Sequence, residues 1–252
     1  MSVQLRIDEM EIEAQEGQFV LDVARGAGFD IPSLCHHEAV QPIGACRICL
    51  VEVTVGIRPS QLTTSCNLPV EQGMEVVTAS PLIHQHRAVN LELLLARAPS
   101  SSRLRELALQ AGVLKPRFKP LTGQAIKNCV LCELCVRVCA KLGHSALTTV
   151  GRGDNKRIGL PFNKPADTCV GCASCVSVCP TDCILIKDTP QNRTIWGQSF
   201  AFQLCKVCKS PVLTARHRDF AIATKGLPED YYDVCESCKQ VAASKRLASV
   251  VW

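Results

Sequence analysis

The sequence predicts an α+β protein built from small domains. These domains are expected to be stabilised by metal centres and not by large aromatic cores. Three observations support this prediction. The chain of 252 residues contains 17 cysteines, and only 4% of its residues are aromatic. Eight of the cysteines form two identical C-x2-C-x2-C-x3-C runs. Bound metal can supply folding free energy that a small apolar core lacks. We predict four consecutive parts, at residues 1–80, 81–126, 127–198 and 199–252.

The first part, residues 1–80, has the element order of a β-grasp ferredoxin domain. Alternating apolar residues indicate an N-terminal hairpin, and Val20, Val23 and Ala24 have the spacing of one face of a short helix. Two further strands follow a long loop. The predicted strands occupy residues 3–7, 10–14, 50–55 and 61–64.

Four cysteines of this part are candidate ligands of a [2Fe–2S] cluster: Cys35, Cys46, Cys49 and Cys66. The middle pair shares one loop, whereas the outer two come from separate loops. Ten residues separate the first two, so the plant-type C-x4-C-x2-C spacing is not matched. Gly44 can let the backbone pass close to a cluster. A structural zinc site with four cysteines is the alternative.

The second part, residues 81–126, is predicted to be a helical linker. One helix is expected to include Arg87 to Leu95. A second helix is expected to have Ser102 as its N-cap and to end near Gly112.

The third part, residues 127–198, is predicted to be a dicluster ferredoxin-like domain with two [4Fe–4S] clusters. In ferredoxins with this spacing, the fourth cysteine of each run binds the other cluster. Ligation is therefore predicted to be crossed, with one set of Cys129, Cys132, Cys135 and Cys179 and a second set of Cys169, Cys172, Cys175 and Cys139. Strand–turn–strand sequence follows each run, so the repeat extends beyond the cysteines. Zinc knuckles or disulfides are the alternative.

Five cysteines remain. Four of them form two CxxC pairs with 26 residues between the pairs: Cys205, Cys208, Cys235 and Cys238. Converging pairs of this kind form tetrahedral zinc sites, so residues 199–252 are predicted to be a small zinc-ribbon-like module. A rubredoxin-like iron or a further Fe–S cluster is the alternative. The fifth, Cys183, is expected to be a small buried apolar residue in preference to a ligand.

Several stretches resemble a known family of redox proteins. "IPSLCHH", "GACRICLVEV", "LTTSCNLPV" and "GMEVVT" resemble the N-terminal [2Fe–2S] domain of the large iron–sulfur subunit of bacterial complex I. They are similar also to the diaphorase iron–sulfur subunit of NAD-reducing nickel–iron hydrogenases, and to the front ends of iron-only hydrogenases and NAD-dependent formate dehydrogenases. The run "CVLCELCVRVC" extends the resemblance, which covers about residues 1–190.

The chain departs from this family at residues 81–126. The resemblance implies a cluster held there by one histidine and three cysteines. This sequence has no cysteine between Cys66 and Cys129. His84 and His86 remain, but two histidines without thiolates cannot hold a cubane. We therefore expect the His-ligated cluster to be lost and the two histidines to be surface or core residues.

The sequence predicts a protein that moves single electrons and has no catalytic site of its own. It contains no dinucleotide fingerprint, P-loop or catalytic-triad signature. The resemblance implies an electron-transfer subunit of a multisubunit oxidoreductase with two partners. One is an NAD(P)H-oxidising flavoprotein subunit, and the other is a second catalytic redox subunit, such as a hydrogenase, a formate dehydrogenase or another low-potential reductase.

An Fe–S or zinc protein that binds nucleic acid or regulates redox responses is the alternative function. The net charge of +5 does not favour it, because three clusters at about −2 each would bring the charge to about −1. Stacking aromatic residues are few. A cytoplasmic, reducing location is expected, since no signal peptide or membrane-spanning apolar run is seen.

Overall fold

The computed structural model describes residues 1–122 and 126–250, and it has the mixed α+β architecture that the sequence predicts. Its internal contacts group the chain into two compact units. Both units are assembled from non-consecutive segments, so the four consecutive parts stay a prediction. Unit 1 comprises Met1–Arg137, Thr149–Ile158 and Val178–Cys183, and unit 2 comprises Val138–Thr148, Gly159–Ser177 and Ile184–Trp252.

A five-stranded mixed sheet with one helix begins unit 1. Its elements are β1 (Ser2–Ile7), β2 (Met10–Gln15), α1 (Val20–Gly26), β3 (Leu50–Val55), β4 (Gln61–Thr64) and β5 (Met74–Val77). The strand order is β2-β1-β5-β3-β4, with β1 and β5 parallel and the other pairs antiparallel. The four predicted strands and the helix are confirmed. The sequence prediction did not include β5, which joins the hairpin to β3.

The alternation of apolar and polar residues decides which face of this sheet is buried. Side chains two residues apart on a strand point to the same face, so Leu5 and Ile7 of β1 lie on the same side as Val51 of β3. Val20 and Leu21 of α1 cover that face, and all five side chains are almost inaccessible to solvent.

Two helices follow the sheet, α2 (Pro81–Arg97) and α3 (Ser102–Gln110). Each begins after a serine whose hydroxyl oxygen accepts a hydrogen bond from the N–H three residues later, namely Ser80 and Ser101. Such bonds satisfy backbone donors that the first helical turn leaves without partners. The prediction that Ser102 is the N-cap of the second helix was wrong by one residue, since the Ser101 hydroxyl makes the capping bond.

The segments that contain the cysteine runs are short. They are α4 (Leu134–Lys141), the two-stranded sheet of β6 (Thr148–Val150) and β7 (Arg157–Gly159), and the single turn α5 (Ser174–Ser177). The short strands confirm that strand–turn–strand structure follows the first run. Most of the chain near the cysteines is therefore loop, whose conformation depends on what the loop encloses.

Unit 2 contains an antiparallel sheet in the order β11-β10-β9-β8. Its elements are β8 (Ile186–Asp188), β9 (Asn192–Ile195), β10 (Gln198–Leu204), β11 (Pro211–Thr214), α6 (Ala215–Lys225) and α7 (Glu236–Val250). Since β10 pairs with β9, one sheet contains strands on both sides of the boundary predicted after residue 198. The tail therefore shares its hydrogen bonding with the strands that follow the second run.

The helices of the described residues include none that is long and apolar enough to cross a membrane. The longest, α2, has 17 residues. It buries two charged side chains, Arg87 and Glu92, which marks it as a helix packed against protein.

We predict that Arg87 is a structural anchor of α2. It is 8% exposed, and its Nη2 donates hydrogen bonds to the carbonyl oxygens of Leu50 (2.7 Å) and Thr78 (3.0 Å). Arg87→Leu should lower the free energy of unfolding by about 1–3 kcal/mol, because it leaves two buried carbonyls without donors. Urea unfolding of the cluster-loaded protein, followed by circular dichroism, measures the change.

The control is Arg103→Leu on α3. The Arg103 guanidinium is exposed and pairs with Glu106 at 2.9 Å, one turn later. Surface pairs of this kind contribute about 0–1 kcal/mol. Equal destabilisation by the two substitutions would contradict the anchoring role of Arg87.

Candidate iron–sulfur sites

The four N-terminal candidate ligands lie together in unit 1, and none is more than 5% exposed: Cys35, Cys46, Cys49 and Cys66. Strand pairing explains how two of them meet. Leu50 of β3 lies opposite Thr64 of β4, so Cys49 and Cys66, just beyond this pair, are adjacent. The N–H of Cys46 donates a hydrogen bond to the Sγ of Cys35 at 3.4 Å.

Backbone conformation lets the loop of this set pass close to the end of β4. Gly44 and Arg47 both have left-handed φ angles, of 62° and 56°. A Cβ added to Gly44 would lie 3.2 Å from Thr64 Oγ1 and 3.2 Å from Asn67 Nδ2. The neighbours are protein side chains, so the idea that Gly44 lets the backbone pass close to a cluster stays a prediction.

The charges of these thiols are coupled. Hydrogen bonds from the thiols of Cys46 and Cys66 lower the pKa of Cys35 to about 2. The same contact with Cys35 raises the pKa of Cys46 and of Cys66 above the usual range of a thiol. Four buried thiols at this separation therefore do not all ionise by themselves. Positive charge from bound metal would let them do so, which fits the donor set to an iron centre.

The first predicted cubane set lies wholly in unit 1: Cys129, Cys132, Cys135 and Cys179. The second lies wholly in unit 2: Cys169, Cys172, Cys175 and Cys139. In each unit, the fourth cysteine comes from the other run of the sequence. The contacts thus group the eight cysteines in the way that crossed ligation requires.

The two cubane loops repeat in backbone conformation as well as in sequence. The residues on either side of the middle cysteine are left-handed in both, Leu131 (54°) and Glu133 (59°) in the first and Gly171 (68°) and Ala173 (65°) in the second. Successive residues that depart from ordinary strand or helix angles can turn their N–H groups into a common concavity that favours negative charge. The loops are therefore suited to an anionic cluster.

The spacing of the sulfur atoms distinguishes the N-terminal set and the two cubane sets from a site that binds a single metal ion. Four sulfurs at 2.3 Å from one tetrahedral ion lie roughly 3.8 Å apart. Among the residues that the structure describes, one group brings three or more candidate ligand atoms within 4.8 Å of one another, and it is Cys205, Cys208, Cys235 and Cys238. The other sets are more open, which favours a cluster of several irons over a single zinc ion.

The tail set, which is Cys205, Cys208, Cys235 and Cys238, has the compact geometry that a single metal ion needs. Cys208 Sγ and Cys235 Sγ are 3.7 Å apart, and the N–H of Cys235 donates to Cys205 Sγ at 3.3 Å. Hydrogen bonds from the backbone N–H groups of Cys208 and Cys235 lower the pKa of Cys205 to about 6. The first pair follows β10 and the second lies at the start of α7, with Cys238 in its first turn, so the two CxxC pairs converge as predicted.

Two hydrogen bonds to sulfur in unit 2 were not predicted from the sequence. The indole Nε1 of Trp196 donates to Cys175 Sγ at 3.4 Å, and the N–H of Ala146 donates to Cys139 Sγ at 3.3 Å. Burial raises the pKa of Cys175 to about 11, and the Trp196 bond opposes that rise. Donors to cluster sulfurs tune reduction potential. Trp196 gave no signal in the sequence beyond the rarity of tryptophan.

Arg137 links two of the cysteine sets within unit 1. Its Nη2 donates to the carbonyl oxygen of Cys35 at 2.8 Å and to that of Cys132 at 3.1 Å. Cys35, Cys46 and Cys132 also belong to one cluster of buried apolar residues, together with Ile48. The [2Fe–2S] set and the first cubane set are therefore neighbours that share a core and a cation.

Cys183, which we expected to be a small buried apolar residue in preference to a ligand, lies at the first cubane set. Its Sγ is 3.6 Å from Cys179 Sγ, and its side chain is half-buried. Hydrogen bonding from the Cys183 thiol lowers the pKa of Cys179 to about 5 and that of Cys129 to about 7. Unit 1 thus presents five thiols at this site.

Comparison with known proteins agrees with this geometry. Residues 1–81 match the model of a 2Fe-2S iron-sulfur cluster binding domain, and residues 125–186 match the model of a 4Fe-4S dicluster domain. The mitochondrial NADH-ubiquinone oxidoreductase 78 kDa subunit of Neurospora crassa is 28% identical over 249 residues, which cover 89% of this chain and 32% of that protein. This chain is similar to that 78 kDa subunit over most of its own length.

Further relatives include another oxidoreductase subunit and a chain of a hydrogenase structure. NADPH-Fe(3+) oxidoreductase subunit alpha of Geobacter sulfurreducens is 30% identical over 228 residues, 82% of this chain and 26% of that protein. A chain in the crystal structure of an NAD+-reducing [NiFe]-hydrogenase in the H2-reduced state is 29% identical with a TM-score of 0.64, covering 73% of this chain and 86% of that one. The resemblance stated from the sequence motifs is confirmed. The chain spans about a quarter to a third of the length of these two curated relatives.

His84 and His86 are both exposed on α2. Neither belongs to the compact ligand group found among the described residues. Their positions agree with the expectation that they are surface residues.

We predict that Gly171→Ala disrupts the cubane set of unit 2. The residue has a φ of 68°, and an added Cβ would lie 2.7 Å from the Cγ of buried Phe200. The loop would have to move away from the ring, so iron content should fall by about four atoms per chain. Gly226→Ala is the control, because Gly226 has a φ of 61° with no atom within 4 Å of an added Cβ. Full iron content in Gly171→Ala would refute the prediction.

We predict that Trp196→Phe lowers the reduction potential of the cluster bound by Cys175. The substitution keeps an aromatic ring and removes the N–H donor to sulfur. The loss of a bond worth about 1 kcal/mol corresponds to a shift on the order of 40 mV for one electron. EPR-monitored redox titration measures the shift, with the [2Fe–2S] signal of the same sample as control. An unchanged cubane potential would show that the indole has no tuning role.

Proposed function

We propose that this chain is an electron-transfer subunit of a multisubunit oxidoreductase. Cys35, Cys46, Cys49 and Cys66 would hold one [2Fe–2S] cluster, and the two crossed sets would hold one [4Fe–4S] cluster each. When bound, these clusters supply one-electron redox chemistry. The four cysteines of the tail would hold a structural Zn²⁺, for which their compact geometry is suited. The proposal keeps the four-part division at residues 80, 126 and 198, and a reducing, cytoplasmic setting.

The main observation in support of this proposal is that the Arg137 side chain contacts residues of two cysteine sets. A relay needs redox centres that are close together and shielded from water. Arg137 bonds a carbonyl of a proposed ligand from each set, Cys35 and Cys132. Its positive charge would offset the negative charge of two neighbouring clusters. The shared apolar core around Ile48 would keep water from the space between them.

Helix α4 extends the argument to the second cubane set. It contains Cys135 of the first set and Cys139 of the second. These residues are four apart, which is about one helical turn. A single helix therefore supplies a proposed ligand to each cubane.

The proposed partners follow from the relatives and from what this sequence lacks. Two relatives are named for NADH or NADPH oxidation, and the hydrogenase structure for NAD+ reduction. This sequence has no dinucleotide fingerprint. A flavoprotein subunit that converts hydride transfer into single-electron steps is therefore the proposed donor or acceptor on one side. A second catalytic redox subunit is proposed on the other.

The metal content of the anaerobically purified chain tests the cluster assignment. The proposal predicts about ten iron atoms and one zinc ion per chain. EPR of the dithionite-reduced protein should show one [2Fe–2S] and two [4Fe–4S] signals. An iron content near six would contradict the presence of two cubanes.

Reduction by NADH tests the division of labour between subunits. Dithionite should bleach the visible absorbance of the purified chain, whereas NADH alone should not. Addition of a flavin-containing NADH diaphorase should make NADH effective, because the flavin delivers electrons singly. Bleaching by NADH in flavin-free, partner-free protein would show that the chain has its own nucleotide site, and the proposal would fail.

A further inference from the structure

The first cubane set is surrounded by one thiol more than a cubane can bind. Cys183 is within hydrogen-bonding reach of both Cys129 and Cys179. All three lie in unit 1, and Val178–Cys183 is the short segment of the second run that belongs to this unit. Crossed ligation assigns no role to a fifth cysteine at this place.

The distance between Cys179 and Cys183 shows which position the extra thiol occupies. Their sulfurs are 3.6 Å apart. Sulfurs around one metal atom lie roughly 3.8 Å apart, given a metal–sulfur bond of about 2.3 Å. Thiolates on different irons of a cubane point outward from different corners and lie farther apart than this. Cys179 and Cys183 are therefore close enough for either thiolate to serve the same iron of a bound cubane, which would accept one of the two.

A local turn of the backbone brings Cys183 back to this corner. The N–H of Asp182 donates to the carbonyl oxygen of Cys179 at 3.4 Å, and Asp182 has a left-handed φ of 49°. Such a conformation is uncommon for residues other than glycine and reverses the chain direction. Thr181 Oγ1 also lies 3.7 Å from Cys179 Sγ. The turn holds the two thiols side by side.

The internal repeat provides a matched comparison. The residue four positions after Cys179 is Cys183, and the residue four positions after Cys139 is Gly143. Gly143 has no side chain, so it offers no thiol. By this repeat comparison, the fifth cysteine is a feature of the unit 1 site that the unit 2 site lacks.

We propose that Cys183 is a reserve ligand of the cubane held in unit 1, taking the corner of Cys179 when that residue does not bind. The inference rests on the cluster assignment of the proposed function. In the exchange, the Cys183 thiol would release its proton to solvent and its sulfur would take the place of the Cys179 sulfur. The Cys179 sulfur would take up a proton, so no oxidation state would change. The site thereby keeps four thiolate ligands after the loss of one.

Iron analysis of four variants tests the proposal. Cys179→Ala should retain about ten iron atoms, as should Cys183→Ala, since each leaves one thiol at the corner. The double variant Cys179→Ala/Cys183→Ala should lose about four. Cys139→Ala should also lose about four, because Gly143 has no thiol to offer. The [2Fe–2S] EPR signal reports in each variant that unit 1 has folded.

Alkylation by iodoacetamide gives a second readout that does not depend on cluster yield. In the wild-type holoprotein, mass spectrometry should find Cys183 alkylated and Cys179 protected. In Cys179→Ala, Cys183 should become protected, because its sulfur is bound to iron.

The outcomes separate this inference from the proposed function. Loss of about four irons in Cys179→Ala, with Cys183 still alkylated, would overturn the reserve role while ten irons in the wild type kept the function. Loss of iron in Cys183→Ala alone would also overturn it, because Cys183 would then be the resident ligand. Wild-type protein with only about two irons would instead overturn the proposed function.

Discussion

The main constraint on this chain is the free-energy cost of burying several thiols close to one another. In the set around Cys35, hydrogen bonds from Cys46 and Cys66 lower the pKa of Cys35, and the same contacts raise the pKa of those two thiols. Nearby positive charge favours full ionisation of such a set. Iron or zinc would provide that charge, and left-handed residues such as Leu131 and Gly171 shape the loops that would enclose it. Metal binding at these sets would therefore be coupled to folding.

The exchange of the fourth cysteines explains why the compact units do not follow the order of the chain. Cys179 belongs with residues far earlier in the sequence, and Cys139 belongs with residues later in it. Each exchange brings a short segment of one run into the other unit. A chain organised in this way cannot complete either cubane set from a continuous stretch.

The predicted linker is the region in which we expected the His-ligated cluster to be lost, and its two helices are held by apolar packing. No cysteine lies in this region, and α2 and α3 occupy it as two helices with serine caps. Leu91 and Leu95 of α2 pack with Leu104 of α3 in the same buried group that includes Cys132. Apolar side chains thus support the neighbouring cysteine sets. The exposed His84 and His86 take no part in that core.

The sequence by itself determined local features: strands β1 to β4, helices α1 to α3, and the cysteines that share a loop. These follow from spacing over a few residues, since backbone periodicity and ligand reach are local properties. Only the tertiary structure decided the positions of Arg137, Trp196 and Cys183, and the sharing of one sheet across residue 198. Arg137 meets a carbonyl 102 residues away, and Trp196 meets a sulfur 21 residues away. Such contacts depend on how separate segments pack, and no local pattern of residue types records that packing.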